Sequence, residues 1–250
     1  MVDKDQKALL NERIRIPGRK TYEEVFDKRT LKELYDLMKD GIIDTLEYPI
    51  STGKEAKVFK ATRKDGTPVV VKVMRMNTAV FRNYKKYIEG DRRFEDLPGG
   101  DKLIYAWTKK EFSNLKRMHN GGIKVPEPYA CSKNILIMEY LHHDGHPAPM
   151  LKDVTLKKKY MKNIADQIVD YIDILYNELD MVHGDLSEFN VLIAEGHPYL
   201  IDVSQSVLLD HPMSGELLER DINNLVRYFG ENGVELDIEE IKEKIGIEDR

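Results

Sequence analysis

One lysine restricts the fold of this chain more than any other residue. Lys72 stands in Val69-Val70-Val71-Lys72-Val73-Met74, an apolar run that reads as a sheet strand. An ammonium buried without a partner costs several kcal/mol, so the fold must either bring it an acid or turn that one position to solvent. Helical spacing supplies an acid. Between Lys102 and Asn120, the residues Ile104, Trp107, Glu111, Leu115 and Met118 recur at intervals of three or four and share one face. Glu111 sits in the middle of that stripe, where a carboxylate calls for a buried cation. The sequence thus predicts a strand packed on a helix through a Lys72–Glu111 pair. Further strands are expected at Leu46 to Ile50, Ala56 to Ala61, Tyr129 to Cys131 and Asn134 to Met138, with a turn at Asp65-Gly66.

A second stretch carries chemistry: Val182-His183-Gly184-Asp185-Leu186-Ser187-Glu188-Phe189-Asn190, followed by Leu200-Ile201-Asp202. Phosphoryl transfer from ATP needs a carboxylate to orient the attacking hydroxyl, and an amide with a second carboxylate to hold Mg²⁺ on the phosphates. Asp185, Asn190 and Asp202 are those groups at the expected Asp-x-x-x-x-Asn interval, and a lysine braced by a glutamate, as in Lys72 and Glu111, holds the α- and β-phosphates. The runs Val191-Leu192-Ile193 and Tyr199-Leu200-Ile201 form a hairpin about Glu195-Gly196 that returns Asp202 to Asn190. Gly184 stands where protein kinases carry arginine, and Val203-Ser204 where they carry Phe-Gly.

The segment Ser51-Thr52-Gly53-Lys54-Glu55-Ala56-Lys57-Val58 keeps the middle glycine and final valine of a phosphate-covering loop, and Ser51 and Ala56 are small enough for close backbone approach. A Walker A reading fails, because Tyr48 replaces its first glycine and Glu55 its Ser/Thr. At Met138-Glu139-Tyr140-Leu141 the Glu139 carbonyl and the Leu141 amide are placed to meet adenine. Taken singly, a polar hairpin turn or a surface Asp and Asn would look the same.

Residues 1–45 read as a helical extension, with capping boxes at Thr21-Tyr22-Glu23-Glu24 and Thr30-Leu31-Lys32-Glu33 and a stop at Gly41. The charged segment from Asn77 to Asp101, interleaved with Tyr84, Tyr87 and Phe94, reads as disordered or a short solvated helix; the sharper reading is a flexible contact to RNA, a partner protein or the nucleotide. Met161, Ile164, Ile168, Tyr171, Leu175 and Leu179 mark a core helix, Lys157-Lys158-Lys159 a solvated face, and His142-His143-Asp144-Gly145-His146 fits no zinc spacing. Helices follow around Glu216 to Phe229 and Ile238 to Lys244, with no Ala-Pro-Glu element. The single cysteine, Cys131, excludes an intramolecular disulfide, and a net charge of −5 argues against a surface that coats nucleic acid. With no apolar signal core in Met1-Val2-Asp3-Lys4-Asp5 and no membrane-length apolar run, a cytoplasmic protein without membrane contact is expected.

Ser51 to Ala56, His183 to Asn190 and Ile201-Asp202-Val203-Ser204-Gln205-Ser206-Val207, in that order, closely resemble the RIO family of atypical protein kinases, the first and third blocks its first subfamily. The resemblance implies an α+β, two-lobed protein-kinase-like fold: an antiparallel N-lobe sheet with one main helix over residues 46–140, and a mainly helical C-lobe over residues 141–250 that lacks activation and peptide-binding segments. It implies ATP with Mg²⁺, or Mn²⁺ in its place, and serine/threonine kinase or ATPase activity with autophosphorylation. It also implies a role in small ribosomal subunit maturation, with a pre-ribosomal particle as partner. On this reading Asp185 and Asp202 are catalytic, Asp202 being itself a phosphate acceptor proposed for the family. Asn190 and Asp202 hold metal. Ser51, Thr52, Gly53, Lys54, Glu55, Ala56, Val58, Lys72, Glu111, Met138, Glu139 and Leu141 bind the nucleotide. The alternative is an ATPase-type assembly factor whose nucleotide state gates binding to pre-ribosomal particles. A small-molecule phosphotransferase is a third reading, for which the second lobe shows no acceptor pocket.

Overall fold

A computed structural model of the chain describes residues 4–15, 25–77, 82–94 and 99–247. Two compact units result: Met1–Lys85, Leu97–Phe112 and Glu127–Tyr140 form the first, and Lys86–Asp96, Ser113–Pro126 and Leu141–Arg250 the second.

The first unit is built on a five-stranded sheet of order β1-β2-β3-β5-β4, with β1 Thr45–Thr52, β2 Ala56–Thr62, β3 Pro68–Met74, β4 Pro128–Ser132 and β5 Ile135–Glu139, every neighbouring pair antiparallel. Proline cannot donate to a ladder, and the sheet respects this: Pro49 and Pro128 lie on the two edge strands and Pro68 opens β3. Central β3 is covered on both faces, which is why it reads as continuous valine. Alternation sends Val69, Val71 and Val73 into one core, with Phe59 and Ile137 and with Leu10, Leu34, Leu37 and Met38 of helices α1 Lys4–Arg13 and α2 Lys28–Lys39. Helices α1 and α2 therefore share their core with the sheet.

Two local expectations change. Thr30 lies inside α2; the cap is Asp27, whose carboxylate accepts from the amides of Arg29 at 2.9 Å and Thr30 at 3.1 Å. Glu33 reaches Ser132 and Lys133 of the neighbouring chain turn instead of its own helix start. The box at Thr21 lies outside the described residues. Cys131 is half-buried on β4.

Helix α3, Asp101–Asn120, follows the predicted stripe: Ile104, Trp107, Glu111, Leu115 and Met118 are all buried. In the second unit, helix α4 Lys158–Asp173 passes into a π turn at Ile174–Glu178, so the stripe from Met161 to Leu179 is not one regular helix. Strand β6 Met181–Val182 pairs with β9 Val207–Leu208, and β7 Val191–Ala194 with β8 His197–Leu200. Glu195 and Gly196 turn the second hairpin at φ 52° and 80°, the left-handed pair of a type I′ turn. Helices α5 Ser214–Glu231 and α6 Ile238–Lys244 close the chain. The segment between β3 and α3 is ordered over its described part. A 3₁₀ helix spans Arg82–Tyr87, and Tyr87, Ile88 and Asp91 are buried, because the apolar groups find cover and the acid finds Arg93. Lys157, Lys158 and Lys159 are exposed.

Candidate active site

Each unit carries part of the predicted constellation. In the first, alternation turns Lys72 away from the face that buries Val71 and Val73, and its ammonium meets the Glu111 carboxylate at 2.6 Å. Lys72 is 8% exposed and Glu111 1%, so the pair is desolvated and neither partner can be deleted without stranding the other. Val58 lies opposite Lys72 in the β2–β3 register. Ser51 and Thr52, read as loop, are paired to Val58 and Lys57 as the end of β1. The turn shrinks to Gly53-Lys54-Glu55, closed by a 2.9 Å bond from the Gly53 amide to the Ala56 carbonyl. Ser51 to Lys54 are exposed, Ala56 is buried, and Glu55 accepts from the Tyr84 hydroxyl. Met138 and Glu139 lie on β5 opposite Val70 and Val69; the Glu139 amide donates to Glu127 at 2.8 Å. Leu141, in the second unit, accepts from the Ala148 amide at 3.0 Å.

In the second unit the loop and hairpin bring Asp185, Asn190 and Asp202 into one hydrogen-bonded neighbourhood. The Ile201 amide donates to the Asn190 carbonyl at 2.9 Å, which sets Asp202 next to the amide residue. Asn190 Nδ2 donates to the Asp185 carbonyl at 2.7 Å and to its Oδ2 at 3.1 Å, and Gln205 Nε2 reaches the same Oδ2 at 3.1 Å. Asp185 keeps a side-chain exposure of 39%, open enough to meet a hydroxyl. Burial pushes the His183 imidazole down to about 4, so the ring is neutral at neutral pH, and its Nδ1 accepts from the Asp185 amide at 3.3 Å.

Helix α5 holds this loop from behind. Asp221, 1% exposed, accepts from the amides of Gly184 and Leu186, each at 2.7 Å. Arg220 donates to the Gly184 carbonyl, Asn224 to that of Leu186 at 3.1 Å, and Arg227 to Glu188 at 3.0 and 3.1 Å. Burial pushes the Asp221 carboxyl up to about 7, against the pull of the two amides. Sequence reasoning missed Asp221. The signal was there, an acid within the apolar stripe of Leu217, Leu218, Ile222 and Leu225, the same anomaly that marks Glu111. The left-handed Gly184 is explained as well: at φ 79° a Cβ would sit 2.9 Å from the Gln205 carbonyl oxygen.

The donor set suits a hard divalent cation bound together with phosphates. Because the Asn190 nitrogen is committed to Asp185, its oxygen is the atom left to face a ligand. Among the described residues no group of three or more His, Cys, Asp or Glu could form a metal cage.

Residues 57–241 match the RIO domain. The chain is 39% identical over 220 residues to the RIO-type serine/threonine-protein kinase Rio1 of Haloferax volcanii, covering 87% of this chain and 74% of that protein. It is 38% identical over 219 residues to the serine/threonine-protein kinase RIO1 of Caenorhabditis elegans, covering 86% of this chain and 43% of that protein, so it spans under half of the animal relative's length. The Rio2 kinase of Chaetomium thermophilum, solved as an ADP/Mg²⁺-phosphoaspartate complex, shares the fold with a TM-score of 0.67 at 23% identity, over 88% of this chain and 67% of that one. Among the described residues no helix is long and apolar enough to cross a membrane.

Proposed function

Because this chain belongs to the RIO family of serine/threonine-protein kinases, we propose that it transfers the γ-phosphoryl group of ATP to serine or threonine hydroxyls, its own included, and acts in small ribosomal subunit maturation. The observation that carries the reading is the joint tethering of the loop and hairpin, which gathers Asp185, Asn190 and Asp202. Asp185 orients the acceptor hydroxyl and takes its proton at the carboxylate, held in place by Asn190 and Gln205. Asn190 Oδ1 and Asp202 would hold Mg²⁺, which would supply positive charge against the phosphates. Lys72, fixed by Glu111, binds the α- and β-phosphates, and Gly53-Lys54-Glu55 supplies backbone above them. Adenine is met by Glu139 and Leu141. Catalysis in this scheme is positioning and charge compensation.

The second reading, an assembly ATPase, is favoured by the short path from Asp202 to α5. Only the 3₁₀ turn Val203–Gln205 and strand β9 precede Ser214, leaving no long segment on which a peptide could lie. In that reading Asp202 is a phosphate acceptor, as the phosphoaspartate in the Rio2 complex suggests. Incubation of the protein with γ-labelled Mg-ATP, with Asp185→Ala alongside, separates the two. An acid-stable, alkali-labile label lost in Asp185→Ala is the expected kinase result. A label released by hydroxylamine assigns Asp202 and the ATPase reading, and undiminished labelling of Asp185→Ala removes Asp185 as the base.

A further inference from the structure

The connection leading into α3 ends in a chain of polar contacts that the phosphotransfer scheme leaves unused, all within the second unit. Asp91, 2% exposed, accepts from Arg93 at Nε (2.8 Å), at Nη2 (2.6 Å) and at the backbone amide (3.1 Å). Arg93 Nη1 continues to Asn114 Oδ1 at 2.8 Å. Asn114 is fully buried and gives its amide hydrogens to two carbonyls, Val203 at 2.7 Å and Ser206 at 3.2 Å. The Ser206 hydroxyl in turn donates to the His183 carbonyl at 2.7 Å. The two carbonyls bracket the 3₁₀ turn that follows Asp202, whose own backbone is left-handed at φ 58°, ψ 52°.

We propose that Arg93 and Asn114 are positioning residues for the metal-binding carboxylate of Asp202, an inference that rests on the metal role given to Asp202 above. A side chain at a left-handed position is aimed by its backbone, and the turn behind this one closes through a 3.2 Å bond from the Ser206 amide to the Val203 carbonyl, with the Ser204 hydroxyl donating to Asp202 Oδ1 at 3.4 Å. From outside, the Asn114 amide grips both ends of that turn. That amide is oriented by its oxygen, and the oxygen by the guanidinium. Arginine suits the task because its rigid fork satisfies the Asp91 carboxylate with two N–H groups while a third faces Asn114; lysine can offer charge but not the fork. Through Ser206 the same chain reaches the carbonyl of His183, two residues before Asp185. Outer contacts of this kind tune metal affinity without touching the ion.

The test is Mn²⁺ binding to the ADP-saturated protein, read from the loss of the free-ion electron paramagnetic resonance signal, with the affinity for metal-free ADP measured separately. Arg93→Ala should weaken Mn²⁺ about tenfold and leave metal-free ADP within about twofold of the parent, the range typical for an outer-shell contact. Arg93→Lys should fall between the two. If Arg93→Ala does not fold by circular dichroism, Arg93→Lys decides alone, with an expected loss of about threefold. Parental Mn²⁺ affinity in the Arg93 variants beside a weakened Asp202→Asn overturns the positioning role and leaves the proposed function standing. So does an equal loss of metal-free ADP affinity, which would mark general damage. Parental Mn²⁺ affinity in Asp202→Asn overturns the metal role and this inference with it.

Discussion

Gly184 shows how far single positions are decided by their surroundings. Its φ of 79° and the 2.9 Å approach to the Gln205 carbonyl exclude any side chain, so the arginine common in protein kinases has no place here, and Arg220 donates to that loop from α5 instead. Lys72 and Glu111 pose the opposite case, two side chains that exclude each other's loss. Lys72→Ala strands a buried carboxylate and should destabilise the protein by about 3–5 kcal/mol. The double variant Lys72→Met with Glu111→Leu removes both charges and should recover the parental unfolding midpoint in urea while phosphotransfer stays lost. A double variant as unstable as the single one would show that the pair contributes to stability beyond mutual compensation. This pair was legible from sequence because a lysine among valines and a glutamate in an apolar stripe are each anomalous, and each explains the other.

Elements were legible where periodicity was long and unbroken, as in β3 and α3. The misses have local causes. Ser51 and Thr52 are polar because they end an exposed edge strand, and polarity alone reads as loop. Thr30 imitates a cap that Asp27 provides three residues earlier. The segment from Arg82 to Phe94 lacks a period because its order comes from burial of Tyr87 and Ile88 and from the Arg93–Asn114 contact, which joins residues 21 apart in sequence. Helix α5 carries a consequence at this scale. Burial raises the Asp221 carboxyl from 3.8 to about 7, so the folded state favours its protonated form. Stability from this group is therefore full below about pH 4 and falls as pH rises through about 7. Urea unfolding at pH 5 and pH 8 should show a larger decline for the parent than for Asp221→Asn. Equal declines would mean that the two amide bonds, not burial, govern the carboxyl.

For the whole molecule the first residues matter as core. Leu34, fully buried against the valine face of the sheet, should cost about 2–5 kcal/mol when changed to alanine, lowering the urea midpoint of the sheet itself. If the extension were an appendage, the sheet would unfold at its parental midpoint while α2 alone was lost. The sequence read the first residues as helical and ended a helix at Gly41 but named no partner, since an amphipathic helix states that it packs and leaves open on what. The second unit's loop raises a different point. Arg220, Asp221, Asn224 and Arg227, all from one helix, fix residues Gly184 to Glu188 through the chain's own hydrogen bonds. Nothing on that loop has to freeze when a nucleotide arrives. Its entropy has already been surrendered in folding, so affinity there should register contacts made, with little heat-capacity change from ordering chain.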